Sequence, residues 1–558
     1  MVGRYLCFLG LLAVAAFPVA ALAQPANEDC ARLKEPIPAA GIGLPTNGAI
    51  IESATPMPAA PFSFAELPFG PLPPELAVNP ALPEYCKVTG AIAPVDPQSP
   101  PIRFQVNLPV QWNGSSVQFG GGGFNGVLIT GLGYPPSGRP DLPSPLARGF
   151  VTYGTDSGHQ NAPGVPLQVF ALNDEALTNF AYASYKKVRD VAVELMRRRY
   201  GRAPAKLYFV GSSEGGREGI TMAQRFPADY DGIFSRVPVI NWVGLMSSYI
   251  PIVNAQMRGG WLAPEKVKLV GEAVLAACDH LDGLADGIVS NVEACKREFD
   301  PGKLACVPGK EAACLSAAQI ETVNTLHSAY EFSFDLANGV RRYPAFGFGG
   351  ENAPGTGPVG GLISWQTGMA PPSLPPGPTS SRAWLYGSGM MQYFIARDAK
   401  YDPTHFDPAQ FADRVRVISA LMDSTNPDLS AFAAHGGKFI IGEHMADYAQ
   451  SPYAGIEYYK SAVDKMGQSA ADQFLRLYTT PGADHMGLGA PTSIDMLDVL
   501  VDWVENGKPP GDMVQVKLEP KPPFAVMMAR PMCQYPAYPH YRGSGDPALA
   551  ESFECRVP

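Results

Sequence analysis

No Cys-x-x-Cys spacing occurs in the 558 residues, which leaves a cysteine-bound zinc or a thiol-redox function with little support. Nor are the basic residues clustered. With a formal charge of −10, nucleic acid and anionic membrane are poor partners. One long apolar run is present, Leu6 to Ala21, and no second segment of spanning length follows it. Histidine is scarce, eight in all, so few residues compete for the part of a catalytic base.

What is abundant is glycine (58) and proline (57), which implies many turns and long ordered loops rather than a helical bundle. The length is too great for one simple core and predicts a large domain with a second one inserted or appended. Arg4, the apolar run and Ala21-Leu22-Ala23 before Gln24 form an export signal, predicted to be cut after Ala23. The product is then secreted or periplasmic, with no membrane attachment after cleavage. Losing Cys7 with the signal leaves eight cysteines, an even number that suits an oxidising compartment. Nearest-neighbour pairing gives Cys30–Cys86, Cys278–Cys295, Cys306–Cys314 and Cys533–Cys555, although spacing alone leaves other connectivities open.

The most informative stretch is Lys206–Phe226. Leu207 to Val210 reads as a buried parallel strand, and Ile220, Met222, Ala223 and Phe226 have roughly helical spacing. Between them stands Gly211-Ser212-Ser213-Glu214-Gly215, a G-x-S-x-G in the strand-to-helix context that motif requires. A serine at the tip of so sharp a turn needs small neighbours two positions either side. Its hydroxyl then projects above the sheet, and the following N–H, that of Glu214, is placed to hold an oxyanion at the helix start. Upstream, a strand at Val117–Phe119 runs into Gly120-Gly121-Gly122-Gly123, a backbone built for close approach. The N–H of Gly121 or Gly122 is the candidate second oxyanion donor.

Strands at Phe104–Pro109, Phe150–Gly154 and Tyr230–Phe234 and a long amphipathic helix over Asn173–Tyr200 complete the rhythm of a parallel α/β sheet. Residues 24–100 read as a Pro-rich wrap and the tail from Pro509 as loop. The rhythm breaks near Asn241 and resumes with strands at Lys438–Gly442 and Phe474–Tyr478. The predicted organisation is thus a signal (1–23), a catalytic α/β domain (24–240 and 430–558) and an inserted lid (241–429).

A serine hydroxyl needs a base, and the base needs an orienting acid, in the order Ser…Asp/Glu…His on this type of sheet. His485 follows the last strand by a short glycine-flanked loop and is the candidate base; His444 is its rival, and His159 reads as a turn-stabilising group. Asp447 follows Lys438–Gly442 and is the candidate acid, with Glu443 as its competitor. A separate stretch, Cys278 to Ile288, carries Asp279, Asp282 and Asp286 with two turn glycines. It suits a hard, oxygen-seeking cation such as calcium, placed away from the serine in a structural role.

Together, Gly120–Gly123, Thr155-Asp156-Ser157-Gly158-His159, the serine turn continuing through Ala223 to Gly232, the Cys278–Ile288 loop, Tyr343 to Glu351 and Arg530 to Pro536 resemble the tannase and feruloyl esterase family over nearly the whole mature chain. The resemblance implies an α/β-hydrolase whose central sheet is mostly parallel and flanked by helices, with a large inserted lid that carries selectivity. It implies calcium on Asp279, Asp282 and Asp286 with the carbonyls of Leu284 and Ile288, and no organic cofactor. It also implies a serine carboxylic-ester hydrolase for small aromatic esters of hydroxycinnamate, gallate or phthalate type. Hydrolysis of a thioester or amide, or a calcium-stabilised binding protein without catalysis, are the alternatives. The chain departs from the family in one respect. Typical members carry a disulfide between the residue before the nucleophile and the residue after the catalytic histidine, and these positions here are Ser212 and Met486. Arg382 or Arg397 is a candidate partner for a substrate carboxylate.

Overall fold

In the computed structural model, residues 30–61, 81–307, 313–355 and 360–558 are described, besides Met1; the expected export signal beyond Met1, with Cys7, lies outside them. Nine strands form one sheet: β1 (Ala49–Met57), β2 (Tyr85–Ile92), β3 (Ile102–Pro109), β4 (Ser115–Phe119), β5 (Val151–Thr155), β6 (Lys206–Ser212), β7 (Gly232–Arg236), β8 (Lys438–His444) and β9 (Leu475–Thr480), in the order β1-β2-β3-β5-β4-β6-β7-β8-β9. The six strands from β5 to β9 pair in parallel, while β1, β2 and β3 extend the sheet antiparallel. The proline-rich wrap is therefore corrected: it supplies two strands, β1 at the sheet edge and β2 beside it. The tail from Pro509 is corrected likewise, since Met513–Leu518 pairs with Val526–Met532 and Tyr538–Tyr541 with Phe553–Arg556.

The parallel strands are apolar along their length because both faces are covered. Phe209, Ile233, Ile441 and Leu477 face one side, packed under α1 (Ser184–Tyr200), α2 (Glu214–Arg225) and α5 (Pro452–Met466). Tyr208, Val210, Phe234, Ile440 and Tyr478 face the other, under α6 (Met496–Asn506), which contributes Leu497, Leu500 and Trp503. Each such fully buried side chain contributes about 1.5–3 kcal/mol, so the alternation itself fixes which edge of each strand faces which helix layer. The helix expected over Asn173–Tyr200 is helical from Asp174, capped by the Asn173 side chain, with a widened turn at Asn179–Ala183 before α1.

Between β7 and β8, which are parallel neighbours, the chain makes its long excursion. Among the described residues this excursion adds no strand to the nine. Instead α3 (Trp242–Ala255) and α4 (Arg382–Gly389) build a separate apolar cluster with Phe124, Phe180 and Phe394 above the strand ends. All four expected cysteine pairs are bonded. Among the described residues no helix is long and apolar enough to cross a membrane.

Candidate active site

The serine turn shows in its crowding why its residues are what they are. Ser213 stands at φ 61°, ψ −123°, between the end of β6 and the first residue of α2. A Cβ on Gly211 would lie 2.1 Å from the carbonyl oxygen of Gly215, and one on Gly215 would lie 2.6 Å from that of Gly121. Only glycine fits at either place. The strained backbone is held by the Ser213 N–H donating to the Arg236 carbonyl (2.9 Å).

Ser213, His485 and Asp447 come from three distant loops into one hydrogen-bonded line. His485 Nε2 is 2.9 Å from Ser213 Oγ, and His485 Nδ1 is 2.6 Å from Asp447 Oδ2. Asp447 Oδ1 accepts the N–H groups of Ala449 (2.6 Å) and Gln450 (3.2 Å), which fixes the carboxylate in its turn after β8. The edge of Trp365 meets the His485 ring with centroids 5.0 Å apart. Asp447 and His485 are buried, and Ser213 opens to a cavity of about 700 Å³.

The competitors are placed elsewhere. Glu443 turns toward Gly455 and accepts from Gln450 Nε2 (2.9 Å), and burial raises its carboxyl well above the usual range. His444 donates through Nδ1 to the Asp484 carbonyl (2.6 Å); burial, with the Arg236 charge adding, pushes it down to about 3, so it is neutral. His159 stacks on Phe170 (3.7 Å) and is pushed down to about 4 by burial.

The glycine strip approaches the serine turn closely: a Cβ on Gly120 would lie 2.7 Å from Gly215 Cα. One expectation is corrected. The N–H of Gly121 donates to Glu218 Oε2 (2.9 Å) and that of Gly122 to Asn125 Oδ1 (2.5 Å), so neither is an open donor. Glu218 Oε1 in turn accepts from Asn125 Nδ2 (2.6 Å) and the Tyr185 hydroxyl (2.5 Å), a buried network that grips the strip. The N–H of Glu214, in the first turn of α2, has no partner within the helix. Sequence reasoning passed over Glu218, and its position one turn into the helix after the motif was the available signal.

At the positions where the resemblance places a disulfide, the Ser212 hydroxyl accepts from Arg236 Nε (3.0 Å) and Met486 is 44% exposed on the cavity wall. Trp242, Tyr249, Trp365 and Tyr386 supply aromatic wall, and Arg382 lies over the Trp365 ring at 4.8 Å. Trp384 and Phe394 are core residues. Arg397 is committed to Asp174 (2.6 Å) and the Leu172 carbonyl (2.5 Å).

In the Cys278–Ile288 stretch, Asp279 accepts the N–H groups of Asp286 (3.2 Å) and Gly287 (3.0 Å). Asp282 accepts that of Leu284 (3.1 Å), and Asp286 accepts that of Ile288 (3.1 Å) and pairs with Arg530 (2.6 Å). Among the described residues no group of three or more His, Cys, Asp or Glu side chains is gathered as a metal site. The donor set nevertheless suits a hard cation. Burial pushes the Asp282 carboxyl up to about 6, and the charges of Asp286 and Asp279 add to the shift, an effect a cation would reverse. The loop is also less remote than its sequence position implied. Ile288 packs with Ala483 and Ala490, and a Cβ on Gly482 would meet its Cγ2 at 2.8 Å, so it abuts the loop that carries His485.

Comparison with known proteins bears on the whole chain. The sequence model of the tannase and feruloyl esterase family matches residues 86–556. An uncharacterised esterase of Agrobacterium fabrum is 37% identical over 539 residues, 93% of this chain and 91% of its own. The mono(2-hydroxyethyl) terephthalate hydrolase of Piscinibacter sakaiensis is 34% identical over 535 residues, 87% of each chain. Among solved structures, feruloyl esterase B from Aspergillus oryzae superimposes with a TM-score of 0.76 at 24% identity, over 95% of this chain and all of that one. At that identity the likeness speaks for the α/β-hydrolase fold alone.

Proposed function

The chain belongs to the tannase and feruloyl esterase family, and from that premise we propose that it is an exported serine carboxylic-ester hydrolase for small aromatic esters. The observation that carries this reading is the unbroken line from Ser213 Oγ through the His485 ring to Asp447, opening onto an aromatic cavity.

Ser213 Oγ attacks the ester carbonyl as His485 Nε2 takes its proton, and Asp447 holds the ring and balances the imidazolium. The oxyanion is held by the Glu214 N–H at the start of α2. His485 returns the proton to the departing alcohol, leaving an acyl-serine. Water, deprotonated by the same ring, then releases the acid.

Six aromatic side chains on a cavity of about 700 Å³ support a ring-sized acyl group. Of the two candidate arginines, Arg382 remains in the cavity without a carboxylate partner among the described residues, which supports esters bearing an anionic substituent. The segment 241–429 acts as the lid, since Trp242, Tyr249, Trp365, Arg382 and Tyr386 all come from it. The Asp279–Ile288 loop takes calcium through Asp279, Asp282, Asp286 and the carbonyls of Leu284 and Ile288. The ion's charge there steadies the loop and takes no part in the reaction. Four disulfides support an extracytoplasmic setting after cleavage behind Ala23.

The direct test is Ser213→Ala assayed on a chromogenic aryl ester. Turnover is expected to fall by about four orders of magnitude or more with the fold intact. Wild-type turnover in the variant contradicts the assignment.

A further inference from the structure

The cavity floor holds a charged side chain to which the steps of ester hydrolysis give no part. Arg236 ends β7, between the strands that lead to Ser213 and Asp447, with its Cα opposite Ser212 on one side and Gly442 on the other. Its Nε donates to Ser212 Oγ (3.0 Å), and its carbonyl accepts the Ser213 N–H (2.9 Å). Its Nη1 lies against Gly487, where an added Cβ would stand 3.3 Å away, two residues past His485. One side chain thus touches the residue before Ser213 and the loop that carries His485.

The charge is expensive to keep there. Burial pushes the guanidinium down to about 10 against the pull of Asp484 and Asp447, and among the described residues no carboxylate pairs with it directly. A methionine would fill similar space without that cost. Asp484 organises the histidine loop, because its Oδ1 accepts the N–H groups of Met486 (2.9 Å) and Leu488 (2.7 Å). Burial pushes this carboxyl up to about 6, so a nearby cation favours the ionised form that accepts both bonds.

We propose that Arg236 is a positioning residue: its guanidinium couples the strand end presenting Ser213 to the loop presenting His485, fixing their approach by contact and by charge. This rests on the ester-hydrolase reading, which is checked first by wild-type turnover of a neutral aryl ester and its loss in Ser213→Ala.

Arg236→Met, Arg236→Lys and Ser212→Ala are then compared on that ester and on an aryl ester bearing a carboxylate. Arg236→Met is expected to lower kcat on both by about ten- to a hundredfold, with KM within about twofold, as a small misplacement of reacting groups does. The titratable and charged groups about His485 are Asp447, Asp484, His444 and Arg236, with Arg382 over the Trp365 ring. Removing the Arg236 cation makes Asp484 easier to protonate, so the loop carrying His485 loses its two acceptor bonds at a higher pH. The acidic limb of kcat/KM therefore moves to higher pH, by about half a unit or more. Arg236→Lys returns the limb but leaves kcat several-fold low; Ser212→Ala lowers kcat several-fold with the limb unmoved.

Wild-type kcat and pH profile in Arg236→Met overturn the proposal. So does a rise in KM confined to the carboxylate ester at unchanged kcat, which makes Arg236 a substrate contact. If Arg236→Met is insoluble, the other two variants decide: wild-type kcat in both overturns the proposal, and a several-fold loss at unchanged KM supports it.

Discussion

Two carboxylates four residues apart, Glu443 and Asp447, show what a single side chain's direction decides. Glu443 lies near the end of β8 and Asp447 just after it, and the sequence ranked them by their distance from the strand end alone. The structure separates them by what they touch: Asp447 reaches His485 Nδ1 at 2.6 Å, while Glu443 faces Gly455 and Gln450. Asp447→Asn is expected to lower kcat/KM by about 10⁴-fold, since the amide stabilises the wrong imidazole tautomer. Glu443→Gln is expected to stay within a few-fold of wild type, because burial already disfavours the charged carboxylate and the amide keeps an acceptor for Gln450 Nε2. Steady-state kinetics on one aryl ester checks both. His485 was legible because it alone follows the last sheet strand within a short glycine-flanked loop. The engagement of the Gly121 and Gly122 N–H groups was not legible, because it depends on Glu218 and Asn125 reaching back to them.

The parallel strands were readable from sequence for a physical reason. Strands such as Leu207–Val210 and Phe439–Ile441 are covered on both faces, so they are continuous apolar runs. The first strand of the sheet is an edge. Exposed Ile50 and Glu52 alternate with buried Ala49 and Ile51 there, and Pro-rich surroundings masked the signal. The tail hairpins were hidden in the same way: Lys517 is exposed and Arg530 is spent on Asp286. The contact between the glycine strip and α2 is an element-level joint held by Glu218. Glu218→Ala leaves the Gly121 N–H, Asn125 Nδ2 and the Tyr185 hydroxyl short of an acceptor in a buried place. It is expected to cost about 3 kcal/mol of stability and to reduce kcat more than KM. Thermal melts and kinetics read the two effects, and Glu218→Gln, which keeps an acceptor for Gly121, is expected to fall between.

Across the whole molecule the site depends on parts of the chain far from it. The excursion between β7 and β8 supplies most of the aromatic wall, and Ile288 ties the acidic loop to the residues just before His485. The proposed calcium, at a hundredfold excess over its Kd, would stabilise the fold by about 2.7 kcal/mol. Chelation is therefore expected to lower Tm and, through the Ile288 contact, to lower kcat as well, both restored by added calcium. An unchanged Tm on chelation removes the calcium assignment without touching the serine. The break in the strand rhythm between Asn241 and Lys438 was readable because the parallel strands on either side of it are continuous apolar runs. The packing of the acidic loop against the histidine loop was not, since nearly two hundred residues separate them.

Ester hydrolysis as proposed requires Ser213 to be activated by His485 alone among the histidines, and covalent labelling with a fluorophosphonate followed by peptide mass mapping tests that most directly. One adduct on Ser213 in the wild type, lost in His485→Ala and kept in His444→Ala, is the expected result. An adduct at another residue, or Ser213 labelling that survives loss of His485, contradicts it.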